Sequence, residues 1–138
     1  PKYSMFERWV EGGLLNVLET EGMGCIPFSP LAQGLLTDRY LNGIPEGSRA
    51  SKSWGFLKPH QVAPALEKVK KLNELAKERG QSLAQMALAW ILKDKRITSV
   101  LIGASSVRQL QANVETLRNT VFSEEELQII ENILGGNS

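Results

Sequence analysis

The residues of this chain that could do chemistry gather at two turns. Gly103-Ala104-Ser105-Ser106 follows the apolar run Thr98-Ser99-Val100-Leu101-Ile102 and leads into a helical pattern at Val107. Gly103 lets another group approach the backbone. A helix opening near Ser106 aims unpaired N–H groups and the positive end of its dipole at the same turn. Ser105 and Ser106 add hydroxyls, and Arg108 adds a full charge in the first turn, so the spacing describes an anion site suited to a phosphate. The same letters also read as a plain S-x-x-Q capping box, Ser106 to Gln109, with no ligand. The second turn is Phe28-Ser29-Pro30-Leu31-Ala32, which follows Cys25-Ile26-Pro27. An aromatic residue at a strand end either stacks on a flat heterocycle or fills a core, and the residues leave both readings open. Arg39 and Arg49 lie in the long segment beyond it. Paired guanidinium groups can hold a pyrophosphate, and loop arginines are also commonly just solvated.

Other chemistries find little support. His60 is the single histidine, in Lys58-Pro59-His60-Gln61, and no cysteine cluster accompanies it, so no metal site is expected. No G-x-S-x-G elbow is present to support a serine nucleophile. Cys25 is the single cysteine, which excludes an intrachain disulfide, and inside a strand it reads as a small buried apolar residue. Lys and Arg number 16 against 15 Asp and Glu, a formal charge of +1, so no field draws the chain to nucleic acid or an anionic membrane. The longest apolar run, Met86 to Leu92, is far short of the roughly 18–20 residues that span a bilayer. With no signal peptide visible, the expected compartment is the cytosol.

The elements that must position these turns follow from periodicity. Leu14, Leu15, Val17 and Leu18 fit the inner face of a short helix that Gly22 stops. Cys25-Ile26-Pro27-Phe28 reads as a strand, with Pro27 at a ladder position that needs no N–H. Ser29 to Pro59 has no sustained period and reads as a long loop. From Gln61, Val62, Leu66, Val69, Leu72 and Ala76 share one helical face, and Gly80 ends that helix. Ser82 to Gln85 has capping-box form and opens a helix to about Lys93 that is apolar almost all round, hence deeply buried. Thr98 to Ile102 reads as a strand apolar on both faces, of the kind found in a covered parallel sheet. Val107, Leu110, Val114 and Leu117 mark the inner face of the next helix. The last helix starts at Ser123 with Glu126 completing a capping box, Phe122 and Leu127 at staple spacing, and Gly135-Gly136 closing it. Strands alternating with helices predict an α/β fold with a parallel sheet. Two such strands make a poor sheet alone, and a parallel barrel needs eight in roughly 250 residues, so the chain reads as the closing part of one. The opening residue, Pro1 rather than methionine, fits that expectation.

Two long motifs carry a family resemblance: FSPLAQGLLTDRYLNGIPEGSRA, Phe28 to Ala50, and TSVLIGASSVRQLQANVETL, Thr98 to Leu117. Together they resemble the C-terminal part of an aldo-keto reductase, most closely the branch that holds bacterial glyceraldehyde 3-phosphate reductases and voltage-gated potassium channel β-subunits. The resemblance covers nearly the whole chain. It implies that residues 1–138 form the C-terminal portion of a (β/α)8 TIM barrel: its last two to three β/α units plus a C-terminal helix. It also implies an NADPH-dependent reductase of small aldehydes or ketones. In that pattern Phe28 matches the aromatic residue that stacks on the nicotinamide. Ser29, Pro30, Leu31 and Ala32 match the loop along the pyrophosphate. Arg39 stands where many relatives have lysine, Asp38 where they have glycine, and Arg49 matches the arginine of a loop folding over the cofactor. Gly103 belongs to the phosphate turn. Ser105 and Gln109 match contacts near the adenosine 2′-phosphate, and Asn113 matches an adenine contact. At Ala112 relatives often carry a glutamate that holds the adenine amino group, a contact missing here.

The family's catalytic aspartate, tyrosine, lysine and histidine have no counterpart in these residues, so the chain is expected to supply a cofactor site and no catalytic acid. Two other roles fit the same letters. One is an NADP(H)-binding regulatory subunit. The other is a self-standing module whose open sheet edges a second copy, as in a homo-oligomer, or a partner would have to cover.

Overall fold

The computed structural model describes residues 1–41 and 59–135, with the backbone alone for residues 59–63. Five α-helices lie among the described residues: α1 (Leu14–Thr20), α2 (Pro59–Glu78), α3 (Leu83–Leu92), α4 (Val107–Val114) and α5 (Glu124–Leu134). Short 3-10 turns occupy Trp9–Gly12, Ala32–Gly34, Asp38–Tyr40 and Glu115–Arg118.

Helix starts follow the sequence closely because they rest on local hydrogen bonds. Ser82 Oγ accepts from Gln85 N at 3.1 Å while Gln85 Oε1 accepts from Ser82 N at 3.0 Å. Ser123 and Glu126 repeat the exchange at 3.0 and 2.8 Å. Each pair satisfies donors that a helix start would otherwise leave bare. Gly80 ends the α2 segment at φ +72°, the left-handed region in which a side chain is strained. α2 begins at Pro59, two residues earlier than its periodicity predicts, and Pro64 sits within its second turn.

α3 is the centre of the core. Leu83 and every residue from Met86 to Ile91 are buried. Val69, Leu72, Leu75 and Ala76 of α2, Ile130 of α5, and Tyr3, Met5, Val10 and Leu15 belong to the same buried cluster. Trp90 meets the Tyr3 ring at 5.6 Å between centroids and carries the Arg8 and Lys93 cations over its ring at 5.0 and 4.2 Å. A second anchor joins the far ends of α2 and α5. Arg79, whose side chain is 3% exposed, donates to Glu126 at 3.0 Å and to the Val121 carbonyl at 2.9 Å, and stacks 3.8 Å above Phe122.

The predicted strands are extended segments without a continuous ladder. Phe28 N donates to Pro1 O at 2.9 Å and Tyr3 N to Phe28 O at 3.2 Å, a single parallel bridge between Lys2 and Phe28. Thr98 N donates to Cys25 O and Leu101 N to Pro27 O, both at 2.9 Å. Pro27 explains why this second pairing stops short of a sheet. The N–H that should return to the Thr98 carbonyl belongs to a proline and does not exist. The register then slips by one residue, since the accepting carbonyls advance by two while the donors advance by three. Thr98 Oγ1 fills part of the gap by accepting from Cys25 N at 3.0 Å. Gly24 leaves it the space: a Cβ there would stand 2.5 Å from that hydroxyl.

Two apolar faces also differ from expectation. On α1, Leu15 is buried but Val17 is exposed. On α4, Val107, Leu110 and Val114 are all exposed, as are Leu117 beyond it and Leu101 of the preceding segment. Their periodicity is helical, but no described element packs over that face.

Candidate functional site

The hydrogen bonds from Thr98 and Leu101 to Cys25 and Pro27 run in parallel sense, so the segments Cys25–Phe28 and Thr98–Leu101 end side by side. The turns that follow them, one from Phe28 and one from Gly103, therefore leave from the same end of the pair. The Pro1–Tyr3 segment lies on the opposite side of Phe28 in the same sense.

Phe28 is 49% exposed and joins no buried apolar cluster among the described residues, so its ring is open to a partner. Ser29 is half-buried, Pro30 buried, and Leu31 and Ala32 half-buried. The backbone of this loop is unusual: Ser29, Ala32 and Gln33 all take left-handed conformations, with φ of 59°, 50° and 59°. Non-glycine residues hold such angles at a cost of about 1–3 kcal/mol each, and they persist where the surroundings over-determine them. The surroundings here are tight. Ala32 N bonds to Ser29 O, Gly34 N and Leu36 N both bond to Leu31 O, and Leu35 and Leu36 are buried beneath.

Arg39 follows on the 3-10 turn Asp38–Tyr40, exposed, between the exposed Asp38 and the fully buried Tyr40. Thr37 caps that turn: its Oγ1 accepts from Arg39 N at 3.2 Å and donates to Gly34 O at 2.6 Å. The sequence reading missed Thr37, although a threonine directly before an acidic residue and a short turn is a recognisable cap signal. Gly34 matters to the same spot. It has φ +95°, and a Cβ there would meet Arg39 Nη1 and Cδ at 3.7 Å, so the guanidinium folds back over this glycine. Arg49 lies outside the described residues, and so does the side chain of His60.

At the second turn, Gly103, Ser105 and Gln109 are exposed and Asn113 is half-buried. Ser106 caps α4, accepting from Gln109 N at 3.1 Å. The expected reciprocal bond takes a different route. Gln109 Oε1 accepts from Ser105 N at 2.8 Å and from Ser105 Oγ at 2.9 Å, rather than from the Ser106 backbone. One amide oxygen thus draws two donors that could equally face an anionic oxygen. The C-terminal part of α4 is fixed from behind by Gln85 Nε2, which donates to Ala112 O at 2.8 Å.

These groups can stack a ring, meet negative charge with Arg39, and donate N–H and O–H groups to an oxyanion. They include no general acid. The Tyr3 hydroxyl donates to Glu11 at 2.9 Å, and burial, reinforced by that carboxylate, pushes its pKa well above the ordinary phenol range. Among the described residues no cluster of three or more His, Cys, Asp or Glu could hold a metal ion, and no helix is long and apolar enough to cross a membrane.

Comparison with known proteins identifies the context of this geometry. The chain is 52% and 51% identical to two Escherichia coli L-glyceraldehyde 3-phosphate reductases over 142 aligned residues, covering 99% of the chain and 41% of each relative. It is 34% identical, over 85% of its length and 36% of the relative, to a Schizosaccharomyces pombe protein described as a voltage-gated potassium channel subunit beta. Its fold matches a glycerol dehydrogenase from Gluconobacter oxydans with a TM-score of 0.80 at 24% identity, covering 99% of the chain and 42% of that structure. The chain thus spans about two-fifths of the length of the relatives it matches. The aldo/keto reductase family, an oxidoreductase family, matches it across residues 1–134, and to that family the chain belongs.

Proposed function

We propose that this chain is the cofactor-holding C-terminal portion of an NADPH-dependent carbonyl reductase built on a (β/α)8 barrel, one that reduces small aldehydes or ketones. The observation that carries the reading is the parallel pairing of Cys25–Pro27 with Thr98–Leu101, which brings the Phe28 and Gly103 turns out at one end. Ligands of parallel α/β folds collect at that end of the strands. When bound, a reduced nicotinamide supplies the hydride equivalent for a carbonyl carbon. The chain's own residues would do the rest of the holding. The exposed Phe28 ring stacks the nicotinamide, and the Ser29 to Ala32 loop with Arg39 and Arg49 follows the pyrophosphate. Gly103, Ser105 and Gln109 face the 2′-phosphate, and Asn113 the adenine. Such fixing of two reactants supplies orientation, while the proton for the carbonyl oxygen comes from residues other than these.

Identity to L-glyceraldehyde 3-phosphate reductases makes a phosphorylated aldehyde the first substrate to assay. Similarity to the channel beta subunit favours a second reading, an NADP(H)-binding regulatory subunit in the cytosol. Fluorescence titration of the natural protein with NADPH, followed by aldehyde-dependent NADPH oxidation, tests both. Saturable binding that falls with Phe28→Ala supports the cofactor site. Turnover then selects the reductase, and binding without turnover selects the regulatory subunit. Failure to bind NADPH refutes both.

A further inference from the structure

We propose that Thr37 is a positioning residue: it holds Arg39 against Gly34, at the end of the left-handed Ser29–Gln33 loop, and so sets the affinity of the phosphate subsite. The inference rests on the cofactor site proposed above and deepens it. The Thr37 hydroxyl works in both directions at once, donating to Gly34 O at 2.6 Å and accepting from Arg39 N at 3.2 Å. It therefore ties the end of the left-handed loop to the start of the turn that carries the arginine. The loop side of this tie is already constrained, with Ser29, Ala32 and Gln33 at positive φ and Leu35 and Leu36 buried below. The arginine side has little else to hold it. Arg39 is exposed and makes no ion pair among the described residues, and its guanidinium touches the surface left bare by the missing side chain of Gly34. The place from which this long side chain starts is set by its backbone, and the Thr37 hydroxyl holds the Arg39 main-chain N–H, so the cation is ordered only as well as that bond fixes the turn. Tyr40 fixes the far end of the turn, being fully buried against Leu35 and the α2 residues Ala65 and Leu66. Loss of the Thr37 hydroxyl should therefore release Arg39 without unfolding the turn.

Thr37→Val removes both hydrogen bonds at constant shape, and Thr37→Ser keeps both. Arg39→Ala removes the cation itself. Each variant of the natural protein is titrated with NADPH at low and high salt, and Arg39 Nε order is read by nitrogen-15 relaxation without ligand. Arg39→Ala should weaken NADPH about tenfold, as for loss of one charge-assisted contact, and Thr37→Val about three- to tenfold. Both losses should narrow at high salt, because the missing interaction is an exposed charge contact. Thr37→Ser should restore wild-type affinity, and Thr37→Val combined with Arg39→Ala should bind no more weakly than Arg39→Ala alone. Relaxation should show Arg39 Nε more mobile in Thr37→Val and unchanged in Thr37→Ser. Equal Arg39 order in wild type and Thr37→Val overturns the inference whether or not NADPH binds. Losses that add in the double variant overturn it as well. If wild type does not bind NADPH yet Arg39 loosens with Thr37→Val, the positioning role stands and the cofactor site is refuted.

Discussion

Replacing Gln109 by glutamate should push fold stability and cofactor affinity in opposite directions. Gln109 Oε1 accepts from Ser105 N and Ser105 Oγ at 2.8 and 2.9 Å, beside the N-terminus of α4. A glutamate accepts the same two bonds with a full negative charge at the positive end of the helix, which stabilises the fold by about 0.3–1 kcal/mol. A 2′-phosphate brought to the same donors then meets a carboxylate. Gln109 is exposed, so the solvent-screened end of the Coulomb range applies: about 1–2 kcal/mol for like charges some 4 Å apart. That corresponds to NADPH binding weaker by about five- to thirtyfold. NADH, which has no phosphate at this position, should be nearly unaffected. The assay is calorimetric titration of Gln109→Glu with both dinucleotides at two salt concentrations, beside a denaturant midpoint. Selective loss of NADPH affinity that shrinks with salt, with an unchanged or raised midpoint, is the expected result. An equal loss for both dinucleotides, or no loss for either, refutes the assignment of this turn to a phosphate.

Three further outcomes follow from the packing. Arg79→Met should destabilise the fold by about 2–3 kcal/mol in denaturant titration, because it strips Glu126 and the Val121 carbonyl of a donor that is 3% exposed; solvent reaching Glu126 keeps the figure below that of a fully buried pair. Gln33→Gly should raise the unfolding free energy in denaturant titration by about 0.5–1 kcal/mol, as relief of the φ +59° strain exceeds the added freedom of the unfolded chain; a lowered value shows that the Gln33 side chain does more than tolerate its backbone. Stability should fall in acid. Hydrogen bonding to Arg96 holds the Asp94 carboxyl below its ordinary pKa, and at Glu11 the contacts with Arg8 and Tyr3 together outweigh the upward push of burial. Both groups bind their protons less readily folded than unfolded, so their contribution is complete at neutral pH and is lost as pH falls through about 4 and below. Asp94→Asn should flatten that dependence in acid denaturation, and an unchanged slope would count against it.

What the sequence makes legible is whatever rests on neighbours in the chain. The Ser82 and Ser123 capping boxes, the buried α3, the left-handed Gly80 and the buried Cys25 all stand where their letters predict. The family, too, is legible, because two long motifs lie at the right separation. Features that depend on non-local partners read less well. Cys25–Phe28 and Thr98–Ile102 look like ladder strands from their apolar residues, yet the ladder fails where Pro27 has no N–H to give. The pairing segment at Pro1–Tyr3 carries too short a pattern to announce a strand. Val107, Leu110, Val114 and Leu117 have the periodicity of a packed face but are exposed, because periodicity records that a face is apolar and says nothing of what lies against it. At the candidate site, residue types singled out two turns, and the parallel pairing of Cys25 and Pro27 with Thr98 and Leu101 brings both out at one end. The route of Gln109 to Ser105 and the double use of Thr37 are not written in the residue types, since one hydroxyl or amide has several local partners of similar energy.

The way the two turns are held has a consequence for how such a site tolerates change. A binding loop is usually kept in place by the sheet beneath it, yet here the pairing beneath is interrupted at Pro27 and patched by the Thr98 hydroxyl. Orientation at each turn is instead set by hydrogen bonds within a few residues: Ser29 to Ala32 and Leu31 to Gly34, Thr37 to Gly34 and Arg39, Ser105 and Ser106 to Gln109. Local bonds of this kind are independent of one another. Substitutions at the Phe28 turn and at the Ser105 turn should therefore combine additively in dinucleotide affinity, within about 0.5 kcal/mol, as for separated sites that share no partner. Thr37→Val with Gln109→Glu is the pair to measure. Strict additivity would mean that the two turns act as separately built halves of one site. A coupling above about 1 kcal/mol would mean that the broken ladder still transmits strain from one turn to the other.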